Sequence, residues 1–393
     1  MYRLTRKPRS TTDPRPILPL ALIVGQTLCL ACTGTADDPP QSGSAEWELV
    51  EDLRLDANAE DFSAIGPLII GPQREIVVPE PQDRRLRVYD STGTLLTTIG
   101  RRGEGPGEFQ HLGAVFWTAD TLVVFDGELV RTTYLLRDGS VGRTETGRFW
   151  GPDFGAERPD STFFGFAPQA IDDEGALLGF AYLNLKESSE LVALRVPGDG
   201  MPRVVASPPQ YYDERWSVTV SGLNNPVPFA FRLRIEIASD ASRFLFATAD
   251  QWSLDATYDL TMLRPNGDTI FARSYAYDAE PIPDSAMDRG IANMVPESGL
   301  ARRFRATARQ RAPVVYGPRD VTLGLDGTVW VELRSTERGT PVVVISEAGD
   351  PIGSLLLPLR SKIRQASLTH VWVTERDPLD LASVVRYRVI RPD

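Results

Sequence analysis

Few groups in this chain are suited to chemistry. His111 and His370 are the only histidines among 393 residues, so a three-histidine zinc centre cannot be assembled within it. No G-x-S-x-G elbow is present, which removes the hydrolase nucleophile that such a turn exposes. Calcium needs only oxygen donors from separate segments, and Glu75, Asp126, Asn224, Asn225 and Asp250 are donors of that kind. Between Gly299 and Arg311 the chain carries Arg302, Arg303, Arg305, Arg309 and Arg311. Such a run either offers a basic patch to a carboxylate or phosphate ligand or pairs with the protein's own acids. Trp150, Phe154, Tyr211, Tyr212 and Trp216, with Asn224 and Asn225, have the ring faces and amides that stack on sugars or peptides. The same rings can equally pack loops onto a scaffold.

Many short strands must position these groups. The 31 Pro and 32 Gly punctuate short apolar runs, which is the pattern of strands joined by turns. A four-strand order recurs. The first copy uses Ile65–Ile70, Glu75–Val78, Arg85–Tyr89 and Thr94–Ile99, with a tight turn at Asp90–Gly93. Later copies turn at Arg137–Ser140, Pro197–Gly200, Pro265–Asp268 and Glu347–Asp350. The last unit, Ile363–Ile390, has only three strands, whereas Trp47–Leu55 has no neighbour. Pairing the two removes both exposed edges. The expected fold is therefore all-β: a six-bladed β-propeller closed by an N-terminal strand, with a helical insertion before blade five. Pro283-Asp284-Ser285 starts one helix running to Met294, and Gly299–Arg311 forms the other.

One segment, Val88–Phe109, reads VYDSTGTLLTTIGRRGEGPGEF. It resembles the blade signature of six-bladed propellers of the NHL/TolB-like type, in which a glycine-rich crossing leads into the next blade. The resemblance spans about one blade and implies fold, not activity, because propellers host many functions. It places Phe109 as a wedge between blades, and Arg101, Arg102 and His111 beside the crossing. Six-bladed lactonase-like propellers hold a metal on the channel axis, which keeps calcium open as a cofactor; no other cofactor is expected.

The first 31 residues are set apart as a signal peptide, with a basic start and an apolar run from Ile17 to Ala31. Leu30-Ala31-Cys32 resembles a bacterial lipoprotein signal in which Cys32 becomes the lipidated first residue; an ordinary cleaved signal is the alternative. Residues 32–45 read as a flexible tether and 46–393 as one propeller domain, with 276–316 as the insertion. The expected location is the periplasm or cell surface, anchored in the membrane by lipid. The leader holds five basic residues and one acidic one, so 42 basic and 53 acidic residues become 37 and 52, a formal charge of −15. That balance argues against nucleic acid as a partner.

Tight turns join the third and fourth strands of each of the five complete units. The blade-to-blade connections are long: Arg101–His111, Arg148–Phe164, Ser207–Ala230 and Ala276–Tyr316. Long loops on a rigid scaffold are where binding resides. Two readings follow. One is a monomeric binding platform for a peptide, glycan or protein on the long-loop face. The other is a metal-dependent, lactonase-like hydrolase with a site on the axis.

Overall fold

The computed structural model describes residues 46–146, 162–184, 189–198, 201–207, 217–220, 223–231, 233–294 and 299–392. Strand β1 (Glu48–Leu55) leads into a one-turn helix, α1 (Ala57–Glu60). Six four-stranded antiparallel sheets make up the ring. Blade one comprises β2 (Ile69–Ile70), β3 (Ile76–Glu80), β4 (Arg85–Tyr89) and β5 (Leu95–Ile99). Blade two comprises β6 (Val115–Thr118), β7 (Thr121–Asp126), β8 (Arg131–Leu135) and β9 (Val141–Thr146). Blade three comprises β10 (Thr162–Ile171), β11 (Leu177–Asn184), β12 (Ser189–Val196) and β13 (Arg203–Ala206). A two-stranded hairpin, β14 (Ser217–Val220) and β15 (Leu223–Pro226), interrupts the passage to blade four. Blade four comprises β16 (Arg234–Ile237), β17 (Phe244–Asp250), β18 (Thr257–Leu263) and β19 (Thr269–Ala276). Helices α2 (Asp284–Met294) and α3 (Gly299–Arg311) then precede blade five: β20 (Asp320–Leu323), β21 (Val329–Glu332), β22 (Thr340–Ile345) and β23 (Pro351–Leu357). Blade six contains β24 (Ser361–Ala366), β25 (His370–Arg376) and β26 (Ala382–Ile390), and β1 is its fourth strand.

The closure therefore follows the sequence expectation. Strand β1 pairs antiparallel with β26, from Glu48 opposite Ile390 to Leu55 opposite Val384, with a bulge between Glu51 and Leu53. Asp52 on that bulge takes Arg386 at 2.7 Å and lies 3.5 Å from His370, so His370 belongs to the seam. The chain also latches onto blade five. The Trp47 amide donates to the Ser354 carbonyl at 2.7 Å, and its indole meets Trp330 edge-on at 6.1 Å. Gly353 is needed beneath that indole, because a Cβ there would lie 2.1 Å from it.

Burial explains why the middle strands read as unbroken apolar runs. Strands β3, β8 and β21 are buried at every position, because each blade packs against a neighbour on both faces. One apolar cluster fills each of the six inter-blade wedges. Between blades one and two it holds Phe109, Ile99 and Val124, and between blades six and one Leu53, Leu68 and Trp372. Phe109 is fully buried, as the crossing motif implied. At Gly100, φ is +90° and a Cβ would come within 2.7 Å of the Phe109 ring, so only glycine fits.

A seventh cluster fixes the insertion. Met287 and Ile291 of α2 and Phe304 and Ala308 of α3, each pair one helical turn apart, pack with Val218 of β14 and with Val227. The first helix ends at Met294 and the second runs from Gly299 to Arg311 as expected, while the first begins at Asp284, within the residues expected to cap it. The helices thus sit on the β14–β15 hairpin of the preceding connection.

Closure makes Trp47→Ala a sharp test. Truncating this buried indole should cost about 3–5 kcal/mol by the usual measure of core aromatics, read as a lower urea midpoint. An unchanged midpoint would show that the ring closes without the latch.

Candidate functional site at the channel mouth

In an antiparallel four-strand blade, the first-to-second and third-to-fourth turns share one face. The second-to-third loops and the blade-to-blade connections share the other. On the long-connection face, buried polar side chains at the ends of the second strands hold the connections in place. Glu80 ends β3, is fully buried, and takes the Ser63 amide at 3.2 Å together with Arg85 and Arg87 at 2.7 Å each. Burial acts to raise its pKa, but these partners outweigh it and hold the carboxyl below its ordinary value. Asp126 ends β7 and accepts the amides of Gln110, Glu128 and Leu129 at 2.7–3.0 Å. In blade four the corresponding anchor is Gln251, fully buried just beyond β17. Its Oε1 accepts the Phe231 amide at 2.5 Å, and its Nε2 donates to the Phe229 and Val315 carbonyls at 3.0 Å each. One side chain therefore clasps the connections entering blades four and five.

Those two connections wall a cavity of about 580 Å3, lined by Phe229, Phe231, Arg234, Tyr316, Arg319, Arg334 and Ser335. Arg334 comes from the second-to-third loop of blade five and lies over the Tyr316 ring at 3.4 Å. Phe229 meets Tyr316 edge-on at 5.3 Å. Every guanidinium has one carboxylate neighbour: Arg234 with Asp320 at 3.2 Å, Arg319 with Glu332 at 3.6 Å, and Arg334 with Glu280 at 3.2 Å.

A second cavity, about 290 Å3, follows the axis and draws residues from the innermost strand of every blade, among them Ile69, Phe116, Gln169, Glu236, Asp320 and Arg364. The Arg234–Asp320 pair stands between the two spaces. Lys362 also holds Asp320, at 2.6 Å. Burial works against the charge on Asp320, but the Lys362 hydrogen bond and the charges of Lys362 and Arg234 keep its pKa low. Glu236 has no ion-pair partner among the described residues. Burial, and then the charge of Asp320, push it up to about 7 against the pull of Arg234 and Lys362. Glu332 stands where Glu80 and Asp126 stand in their blades but is less well satisfied. Its Oε1 accepts the Ile363 amide at 3.1 Å, its buried Oε2 has no hydrogen-bond partner, and burial pushes it up to about 7 despite Arg319.

The residues singled out from sequence fall in several places. Arg101 is largely exposed and pairs with Glu108 at 2.6 Å, while Arg102 bridges to Phe109 through the backbone. His111 is exposed in the same connection and does not line the cavity. Arg305 is exposed on α3, also away from the cavity. Arg309 pairs with Asp284 at 2.5 Å and Asp288 at 3.3 Å, and Arg311 donates to the Ser217 carbonyl, so these two serve the insertion itself. The side chains of Arg302, Arg303, Asn224 and Asn225 lie outside the described residues, as do Cys32, Trp150, Phe154, Tyr211, Tyr212 and Trp216. Of the suggested calcium donors whose side chains are described, Glu75 sits on the tight-turn face, with Arg137 at 3.2 Å, while Asp126 and Asp250 end strands of separate blades on the opposite face. Among the described residues, no group of three or more His, Cys, Asp or Glu is placed to hold a metal.

No family model matches the sequence, and no curated protein matches it. Among solved structures, the chain is similar to a member of the DUF4221 family from Bacteroides vulgatus, with 12% identity and a TM-score of 0.52 over 89% of this chain and 100% of that one. It is also similar to a catalytically inactive virginiamycin B lyase from Staphylococcus aureus (12% identity, TM-score 0.36, 88% and 100% covered). A third likeness is to BamB from Moraxella catarrhalis (9% identity, TM-score 0.33, 83% and 85% covered). At these identities the first likeness is one of fold, and the other two carry no inference. The chain is an all-β, six-bladed propeller.

Two tests follow from this geometry. Gln251→Ala leaves buried backbone groups of both connections without partners and should cost about 3 kcal/mol in urea unfolding; a loss under about 1 kcal/mol would mean the clasp is incidental. Glu332 titrates higher folded, at about 7, than its ordinary 4.5. Protons therefore bind the folded chain more tightly, and stability falls as pH rises from about 4.5 through 7, by at most about 3 kcal/mol for this group. Glu332→Gln should flatten that slope in unfolding titrations; an identical slope would assign the titration elsewhere.

Proposed function

We propose that this propeller is an exported binding platform whose ligand seats at the mouth cavity between the blade-four and blade-five connections. One observation carries the reading. The long connections build a walled cavity on one face, whereas the opposite face carries tight turns such as Asp90–Gly93, Arg137–Ser140 and Glu347–Asp350. Rigid walls support this role. The helical pair is fixed by its own apolar cluster, and the cavity's two connections are clasped by Gln251. Preorganised walls reduce the ordering cost of binding. The proposal extends to export and to a lipid anchor at Cys32, on the strength of the basic, apolar and Leu-Ala-Cys pattern of the leader. No helix among the described residues is long and apolar enough to cross a membrane. A peptide or protein partner suits a site of this size and openness.

A ligand-observed NMR fragment screen tests the site. Fragments should bind the wild-type chain and be lost when Ser335→Trp fills the cavity, yet be retained when Asn266→Trp alters a tight turn on the opposite face. Retention of every hit in Ser335→Trp would place binding elsewhere and refute the proposal.

A further inference from the structure

We infer that the mouth cavity recognises an oxyanion, a carboxylate or phosphate, carried on an aromatic body. This inference rests on the platform reading and names its ligand class. The first ground is charge. Three guanidinium groups, Arg234, Arg319 and Arg334, line one cavity in a chain of net charge −11. Their acidic neighbours compensate them incompletely. Asp320 is shared between Arg234 at 3.2 Å and Lys362 at 2.6 Å, so Arg234 holds the longer half of a divided partner. Glu332 stands 3.6 Å from Arg319, beyond hydrogen-bond reach, and its burial favours the neutral acid. The cavity is left with a positive excess.

The second ground is independent of charge counting. Arg334 Nη1 is buried with no hydrogen-bond partner, although the same guanidinium reaches Glu280 through Nε at 3.2 Å. An unsatisfied buried donor costs free energy, which a turn of this partly exposed side chain toward an arriving acceptor would recover. A guanidinium edge with free N–H groups matches the paired oxygens of a carboxylate or phosphate. The third ground is shape. Arg334 is held flat on Tyr316, and Phe229, 39% exposed, stands edge-on to that ring, so an aromatic wall adjoins the donors. A ligand with an oxyanion at one end and a ring at the other satisfies both features. The arginine run of α3, which the sequence put forward for this task, lies outside the cavity at Arg305 and is internally paired at Arg309.

Calorimetry on the full chain with three probes tests the assignment: 3-phenylpropanoate, phenyl phosphate and the neutral 3-phenylpropanamide. At least one oxyanion should bind tenfold or more tightly than the amide, with affinity falling as salt is raised. Which oxyanion wins identifies the carboxylate or the phosphate source. Arg334→Gln should weaken that binding at least tenfold with an unchanged melting temperature, and Arg334→Lys should fall between; Arg264→Gln, in a tight turn on the opposite face, should have no effect. If Arg334→Gln unfolds, the Arg334→Lys chain and the amide comparison still decide. Equal binding of the amide, or unaltered binding by folded Arg334→Gln, overturns the inference. Neutral fragments that occupy the cavity while both oxyanions fail would overturn the ligand class and leave the platform reading standing; a cavity that takes no fragment of any charge would sink both.

Discussion

Everything in this molecule depends on apolar wedges between neighbouring blades. A blade whose middle strands are apolar on both faces cannot stand with one face in water, so each needs a neighbour on both sides. That demand is met only by a ring, and a ring needs a seam. Here the seam is β1 against β26, and it is more than strand pairing: Asp52 collects Arg386 beside His370, while Trp47 reaches past its own blade to Trp330. The edge problem and the burial problem share one solution.

On this rigid ring, a second rule governs the long-connection face. A buried polar group at the end of a second strand takes amide protons from the connection above it. Glu80 and Asp126 do this with full sets of partners, and Gln251 does it with a neutral amide. Glu332 occupies the same station with an oxygen left over. The departure falls beside the cavity that combines three arginines with an aromatic wall.

The ring was legible in the sequence because turns announce themselves. Asp90–Gly93 and its counterparts mark blade ends, the three-stranded remainder at Ile363–Ile390 pointed to a lent strand, and Pro283-Asp284-Ser285 marked a helix start. The cavity was not legible, for a physical reason. Arg234, Arg319 and Arg334 are spread over a hundred residues, and only the packing of blade four on blade five sets them side by side. The contiguous arginines of α3 were more conspicuous, yet helical geometry spends Arg309 on Asp284 and Asp288. Turn parity would have separated Glu75 from Asp126 and Asp250. A usable signal did exist in the innermost strands: Arg234-Ile235-Glu236-Ile237 and Lys362-Ile363-Arg364 alternate charge with isoleucine, as expected where one side faces an aqueous axis.

The direction in which the chain joins the ring has a spatial consequence. Glu48 lies opposite Ile390, at the end of β26 that belongs to the tight-turn face, and β1 then climbs toward the long-connection face, where α1 hands the chain to blade one. A grip placed at Glu48, by a fusion partner or a sensor surface, therefore takes hold on the side of the short turns. The arginine-ringed opening is left facing outward, away from the point of attachment.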